Sequence, residues 1–348
     1  MSARPSGAVP AAGRPRWQVW AWWAGLTAFV AIAAVAAASH RHELSGASQL
    51  LARVSPVKLT VAVALEAASF LALASLQRWL LRRAVVRPGL GTMTAFVLAA
   101  NAMAGVIPAG SALSVAWAIR QLRRRQIGLA LGVAMLAVSG ALSALTLASL
   151  LAVGALVANP AGPAPGLRAV ILVSAAVLAT VTVSAVALTR SSAARGVMRH
   201  AGNRVAGNRP ALRRLGKLLS EVLHQAESIQ PGLRHWGRPF ALASLNWVCD
   251  AAALTACLWA LDIDVPWRGV LVAYGLTQIS ISLRLTPGSV GIAEASLGAL
   301  LVVQGLRADQ AIAAALLYRI VSFWMPQPVG WASWLRLTLH SPHGPAAR

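Results

Sequence analysis

A phosphate-sized anion can be held by an arginine, by free backbone N–H groups at a helix start, and by glycines that let a ligand reach the main chain. Residues 284–297, RLTPGSVGIAEASL, gather all three in one short stretch. Pro287 suits the first turn of a helix, because its missing N–H costs nothing there. Gly288 and Gly291 leave N–H groups open to a close ligand. Arg284 stands just before the break. Glu294 follows one turn after Gly291, on the same face. Arg319, about 8 residues into the last apolar run, needs a partner at that depth, and Glu294 and Asp250 are the candidates. Glu294 is then a structural partner for an arginine, part of an anion site, or both. A related break lies at Ile107–Ser111, IPAGS, against TPGS at Thr286–Ser289. There Pro108, Gly110, Ser111 and Ser114 supply a second half-helix start.

Other polar residues sit inside apolar runs. Asn246 and Asp250 are four apart and share a helix face; they form an interhelical hydrogen-bonding pair or line a polar cavity. Glu66, near the middle of its run, carries a proton or pairs with an arginine. Asn101, before the first break, is placed to satisfy freed backbone groups. His40 and His42 are read as exposed loop residues. Cys249 and Cys257 share one apolar run without disulfide or metal spacing. No GxxxxGK[ST], HExxH, CxxC or nucleophile elbow occurs. The expectation is no cofactor, no metal and no enzymatic chemistry.

The elements that must carry these residues are membrane helices. Of the residues, 57% are hydrophobic and only 11% charged, against about 25% charged in soluble domains. Several apolar runs exceed 20 residues, the length that crosses about 30 Å of hydrocarbon. The net charge of +22, from 31 basic and 9 acidic residues, lies in loops between these runs. That pattern fits the positive-inside rule and anionic lipid headgroups, and argues against a nucleic-acid partner.

Residues 1–16 read as a disordered tail, 17–338 as one membrane domain, and 339–348 as a C-terminal tail. Full spans are expected at 17–38, 57–80, 128–157, 168–188, 239–261 and 311–335. A cleaved signal peptide is the alternative for the first, whose tryptophans otherwise form an interfacial belt. The broken segments 92–119 and 270–305 have arms too short for comfortable crossing and are expected to be re-entrant hairpins. Arginine clusters on both sides of the first keep its two ends on one face. The loop 190–238 has ten basic and two acidic residues and is expected to be cytoplasmic. Leu212, Leu215, Leu219, Val222, Ala226 and Ile229 form one apolar helix face within it, either an amphipathic helix at the membrane or a plain connector. With both termini cytoplasmic, the hairpins open to opposite sides. The fold class is thus all-α and polytopic, with six full spans, two inverted broken-helix hairpins and one amphipathic cytoplasmic helix.

Three stretches carry a family resemblance: NWVCD from Asn246, TPGSVGIAEASL from Thr286, and LLYRIVSFWMPQPVG from Leu316. Together they resemble the lysylphosphatidylglycerol synthase transmembrane-region family, a flippase-like membrane domain, over roughly residues 17–338. The pattern PG-x-x-G-x-x-E followed by Tyr318-Arg319 is its most specific part. The family's first break often reads PG-x-x-GE-x-x-R. Here it is PAGSALSVAWAIR, with Leu113 and Ser114 in the glutamate's neighbourhood and Arg120 near the family's arginine. This form looks like an actinobacterial branch. Members that make the aminoacylated lipid carry a soluble C-terminal transfer domain. This chain ends shortly after its last span, so the resemblance implies the translocase half alone.

The expected function is a lipid translocase of the plasma (cytoplasmic) membrane for an anionic phospholipid, an aminoacylated lipid or a polyprenyl-linked lipid. A transporter of a small amphipathic solute is the first alternative. An accessory subunit partnering an envelope-synthesis enzyme is the second.

Overall fold

The computed structural model of the chain describes residues 41–106 apart from 83 and 85, residues 110–157, isolated positions between 169 and 180, and residues 236–282 and 286–339. The expected first span, most of the 168–188 span, the amphipathic face at 212–229, both tails, Pro108 and Arg284 lie outside the described residues.

All regular structure among the described residues is helical. The helices are α1 (Arg41–Ala52), α2 (Pro56–Leu80), α3 (Leu90–Val106), α4 (Gly110–Arg124), α5 (Leu129–Val157), α6 (Gly237–Ala260), α7 (Val270–Ser282), α8 (Ile292–Val303), α9 (Ala308–Arg319) and α10 (Pro326–Leu339). Among the described residues, α2, α5 and α6 are long and apolar enough to cross a membrane. Leu90–Gly105, Val270–Ser282 and Ile292–Val303 are apolar but shorter.

The centre of the bundle is the α2–α6 pair. Lys58 contacts Asp262, and Ser69 contacts Asn246. Residue numbers fall along one helix as they rise along the other, so the two are antiparallel. Two hydrophobic clusters mark the two ends of this pair. One gathers Ala47, Ala62, Leu261, Val270, Leu301 and Leu306. The other gathers Leu80, Leu81, Met93, Leu122, Ile127 and Leu337.

The two broken segments fold as helix pairs rooted at these opposite ends. The α3–α4 pair starts beside the end of α2, where the Arg78 Nε–H donates to the Pro88 carbonyl at 3.1 Å. α4 packs back on α3, and the Ser114 hydroxyl donates to the Ala100 carbonyl at 2.7 Å. Ser114 thus meets a carbonyl near the end of α3. Gly110 is required there, because a Cβ would lie 2.4 Å from the Met103 carbonyl oxygen. The α7–α8 pair is rooted at the other end. A Cβ on Gly269 would meet the Gln304 side chain at 1.9 Å, so the start of α7 and the end of α8 lie side by side.

The tips of the two pairs meet. A Cβ on Gly288 would lie 2.9 Å from the carbonyl oxygen of Gly105 and 2.8 Å from the Phe323 ring. The second break is a 3₁₀ turn at Pro287–Ser289 in which Gly288 and Ser289 have φ of 65° and 52°, followed by Gly291 at 84°. Three left-handed residues within four positions require small side chains.

Two expectations change. The last run, 311–335, is not one helix. α9 ends at Arg319 and α10 begins at Pro326, with a π turn over Ile320–Trp324 between them. Pro326 has no N–H for the carbonyl four residues back, and the Met325 N–H reaches Ile320 at 2.8 Å. The stretch around His42 is also helical rather than a loop: α1 packs on α9, with Gly46 against Asp309.

Candidate functional site

Arg319 lies where the breaks converge, and it is only 5% exposed. Its Nε–H donates to Glu294 Oε1 at 3.0 Å and its Nη2 donates to the Gly288 carbonyl at 2.7 Å. Its guanidinium carbon stands 4.3 Å from the centre of the Phe323 ring. Of the two partners open from sequence, Glu294 is the one in contact. The other Glu294 oxygen accepts the Gly291 N–H at 2.7 Å. The start of α8 is therefore not an empty anion site. Its free N–H and dipole already hold an anion, and that anion is Glu294.

The local sequence dictates this arrangement. Glu294 is the third residue of α8, from which its side chain reaches back to the helix start. The left-handed turn at Gly288 points that residue's carbonyl at Arg319. The Ser289 hydroxyl donates to the Ile281 carbonyl at 3.1 Å and ties the turn to the end of α7.

Gln327 completes the junction. It is 7% exposed, and neither its amide nitrogen nor its amide oxygen has a hydrogen-bond partner. A Cβ on Gly105 would lie 3.0 Å from that nitrogen and 2.7 Å from the Phe323 ring. A buried amide with both ends unsatisfied costs stability and so marks a place that a polar ligand can occupy.

A second polar assembly begins one residue away. Tyr318 donates to Asp250 Oδ1 at 2.5 Å, and Tyr274 donates to Asp250 Oδ2 at 2.7 Å. The Gln278 amide lies 3.3 Å from the same Oδ2 and 3.2 Å from the Tyr318 hydroxyl. Glu66 faces Asp250 from α2, by the antiparallel register that joins Lys58 to Asp262 and Ser69 to Asn246. The Glu66 question is thereby answered: its neighbour is another carboxyl group, not an arginine.

The predicted residues divide accordingly. Gly288, Gly291, Glu294 and Arg319 come together, with Tyr318 and Asp250 adjoining. Asn246 serves the α2–α6 seam, donating to the Ser69 hydroxyl at 2.7 Å. Gly110 and Ser114 close the α3–α4 pair. Ser111 and Arg120 are exposed on α4 and are not drawn into the junction. Pro287 opens the 3₁₀ turn at the second break. Sequence reasoning missed Tyr274, Gln278, Phe323 and Gln327. The first two had a signal, since Tyr274 and Gln278 are four apart in an apolar helix directly before the break. Among the described residues, no group of three or more His, Cys, Asp or Glu is arranged to hold a metal.

Residues 12–330 match the family described as the lysylphosphatidylglycerol synthase TM region. Two relatives, each a UPF0104 membrane protein of Methanothermobacter thermautotrophicus, are 31% identical to parts of this chain. One match covers 91 residues, 26% of this chain and 27% of the relative. The other covers 84 residues, 24% of each. The matches thus span about a quarter of those proteins' own length.

Proposed function

From the premise that the chain belongs to the lysylphosphatidylglycerol synthase TM region family, we propose that it is a lipid translocase whose headgroup site is the Arg319–Glu294 junction. The observation that carries this reading is the convergence of two helix breaks on the ion pair of buried Arg319 with half-buried Glu294, beside the unpartnered amide of Gln327. In this reading the α3–α4 and α7–α8 pairs are re-entrant hairpins that enter the membrane from opposite faces, so the junction lies near mid-membrane. A lipid phosphate displaces Glu294 from Arg319 and takes hydrogen bonds from Gln327. Acyl chains stay in the surrounding lipid.

A headgroup with both a phosphate and an amine suits this site best. The phosphate replaces the carboxylate on Arg319, and the amine meets the carboxylate set free. Neither charge is then left alone in a low-dielectric interior. This favours an aminoacylated or zwitterionic phospholipid over a purely anionic one. The chain performs no covalent step in this account.

The end of the bundle bearing Arg78, Arg87, Arg120, Arg123, Arg124, Arg125, Arg238 and Arg336 is the cytoplasmic one, by the positive-inside rule. The membrane is the plasma membrane, with both chain termini on the cytoplasmic side.

The test is a leaflet-exposure assay on reconstituted protein, using fluorescent phospholipids whose headgroups are anionic, zwitterionic or aminoacylated. Arg319→Met combined with Glu294→Leu is expected to abolish translocation while the protein stays folded. Unchanged translocation in that variant would remove the junction as the headgroup site. Uptake of a water-soluble solute with no lipid movement would favour a solute transporter. Wild-type cell-envelope function without Glu294, together with co-purification of a synthase, would favour an accessory subunit.

A further inference from the structure

We propose that Glu66 and Asp250 hold one exchangeable proton between them, and that this proton couples headgroup movement to a transmembrane pH gradient; the coupling step rests on the translocase reading above. Four helices supply the polar groups around the pair. α2 supplies Glu66, and α6 supplies Asp250 with Cys249 and Cys257 on the same helix. α7 supplies Tyr274 and Gln278, and α9 supplies Tyr318 and Arg319.

The hydrogen bonds set the argument. Asp250 accepts from Tyr274, Gln278 and Tyr318, so both its oxygens are served by neutral donors. Glu66 is 6% exposed and its Oε2 has no partner, and the antiparallel register that joins Lys58 to Asp262 and Ser69 to Asn246 sets it opposite Asp250 across the α2–α6 seam. An ionised carboxylate only accepts hydrogen bonds, so two of them cannot bond each other. One proton is needed, and it belongs on Glu66, because the tyrosines already satisfy Asp250 as an anion. Arg319 does not fill this role, since its donors are directed at Glu294 and the Gly288 carbonyl.

Releasing that proton to water leaves two like charges face to face across the α2–α6 seam, where repulsion is far stronger than in water. The seam then opens or takes up a proton again. Glu66 lies about 15 Å into α2, near the middle of that helix. Tyr318 is bonded to Asp250 and precedes Arg319 directly. The π turn that follows Arg319 gives the end of α9 a place to rotate. Losing the proton and loosening Tyr318 therefore act on the headgroup arginine through a single residue step.

The experiment is infrared difference spectroscopy on the full chain in lipid nanodiscs, paired with translocation in vesicles carrying a pH gradient. The expected wild-type spectrum holds a protonated-carboxyl band that shifts in D₂O. Glu66→Gln is expected to erase it. Asp250→Asn is expected to move it without erasing it, since Glu66 then keeps its proton beside an amide. Collapsing the gradient with a protonophore is expected to slow wild-type translocation at least tenfold and to leave Glu66→Gln at its own low rate. Absence of the band, or its survival in Glu66→Gln, would overturn the proton site. A normal band with translocation indifferent to the protonophore would overturn the coupling. If no lipid moves in any vesicle, the translocase reading and the coupling both fall, while the band still decides the proton site. Monodisperse elution of each variant guards against misfolding, and Glu66→Asp is expected to restore both the band and the gradient response.

Discussion

Arg319 and Glu294 are bound to each other and to the two ends of the same turn, through the Gly288 carbonyl and the Gly291 N–H. Removing only one partner leaves the other charge buried and is expected to cost about 3–5 kcal/mol. Arg319→Met or Glu294→Leu alone should therefore lower the thermal midpoint clearly. The double variant replaces the pair with apolar groups of similar size and should recover most of that loss. Gln327 is predicted to behave in the opposite way. Its amide is buried without partners, so Gln327→Leu should leave the melting temperature unchanged or raise it. The same variant should slow translocation several-fold, because the headgroup loses donors it uses during passage. A melting temperature that falls with Gln327→Leu would show that the amide has structural partners instead. At this scale the sequence was informative wherever cost was visible. A lone arginine and glutamate in apolar runs declare themselves. Gln327 does not, because a glutamine beside two prolines looks like an ordinary helix-end residue until the fold buries it.

The helical elements around the junction depend on two glycines that face each other across the tips. Gly288 has φ of 65°, and a Cβ there would press on the Phe323 ring and the Gly105 carbonyl. Gly288→Ala is expected to cost about 1–3 kcal/mol from backbone strain alone, with steric overlap added. Phe323→Leu should relieve the overlap but not the strain, so the pair of changes should recover only part of the loss in a thermal melt. Both breaks were legible in sequence, since proline and glycine in apolar runs punctuate helices. So was the pairing of α3 with α4 and of α7 with α8, from arms too short to cross comfortably. The π turn at Ile320–Trp324 was not legible. Pro326 lies in a continuous apolar run, and nothing local says whether such a run will kink, break or widen. α1 was missed for a related reason. Its sequence, RHELSGASQLLA, is weakly periodic, and packing on α9 decides its helicity.

At the scale of the whole molecule, the described charges are sorted by end. Arginines gather around the ends of α2, α4 and α10 and the start of α6. Asp262, Asp264 and Asp309 lie at the opposite end with Lys58, Arg268 and Arg307. This sorting predicts the labelling of single cysteines in a background lacking Cys249 and Cys257. A cysteine at position 264 should react with a membrane-impermeant maleimide from outside intact cells. One at position 123 should react only after the membrane is opened. The inverse pattern would reverse the orientation but leave the junction intact. The opposed rooting of the two helix pairs could be anticipated because arginine clusters are read locally along the chain. The Asp250 network could not, since Glu66, Asp250, Tyr274 and Tyr318 come from four helices and share no spacing rule.

The claim on which the account turns is that a lipid headgroup passes through the Arg319–Glu294 junction. The most direct measurement is the rate at which a fluorescent aminoacylated phospholipid becomes accessible to an outer-leaflet quencher, in vesicles holding either the wild-type chain or the Arg319→Met, Glu294→Leu double variant. The account predicts rapid exposure with the wild type and a rate no faster than protein-free vesicles with the double variant, at matched thermal stability. Equal rates in the two protein-containing preparations, both above the protein-free rate, would contradict it.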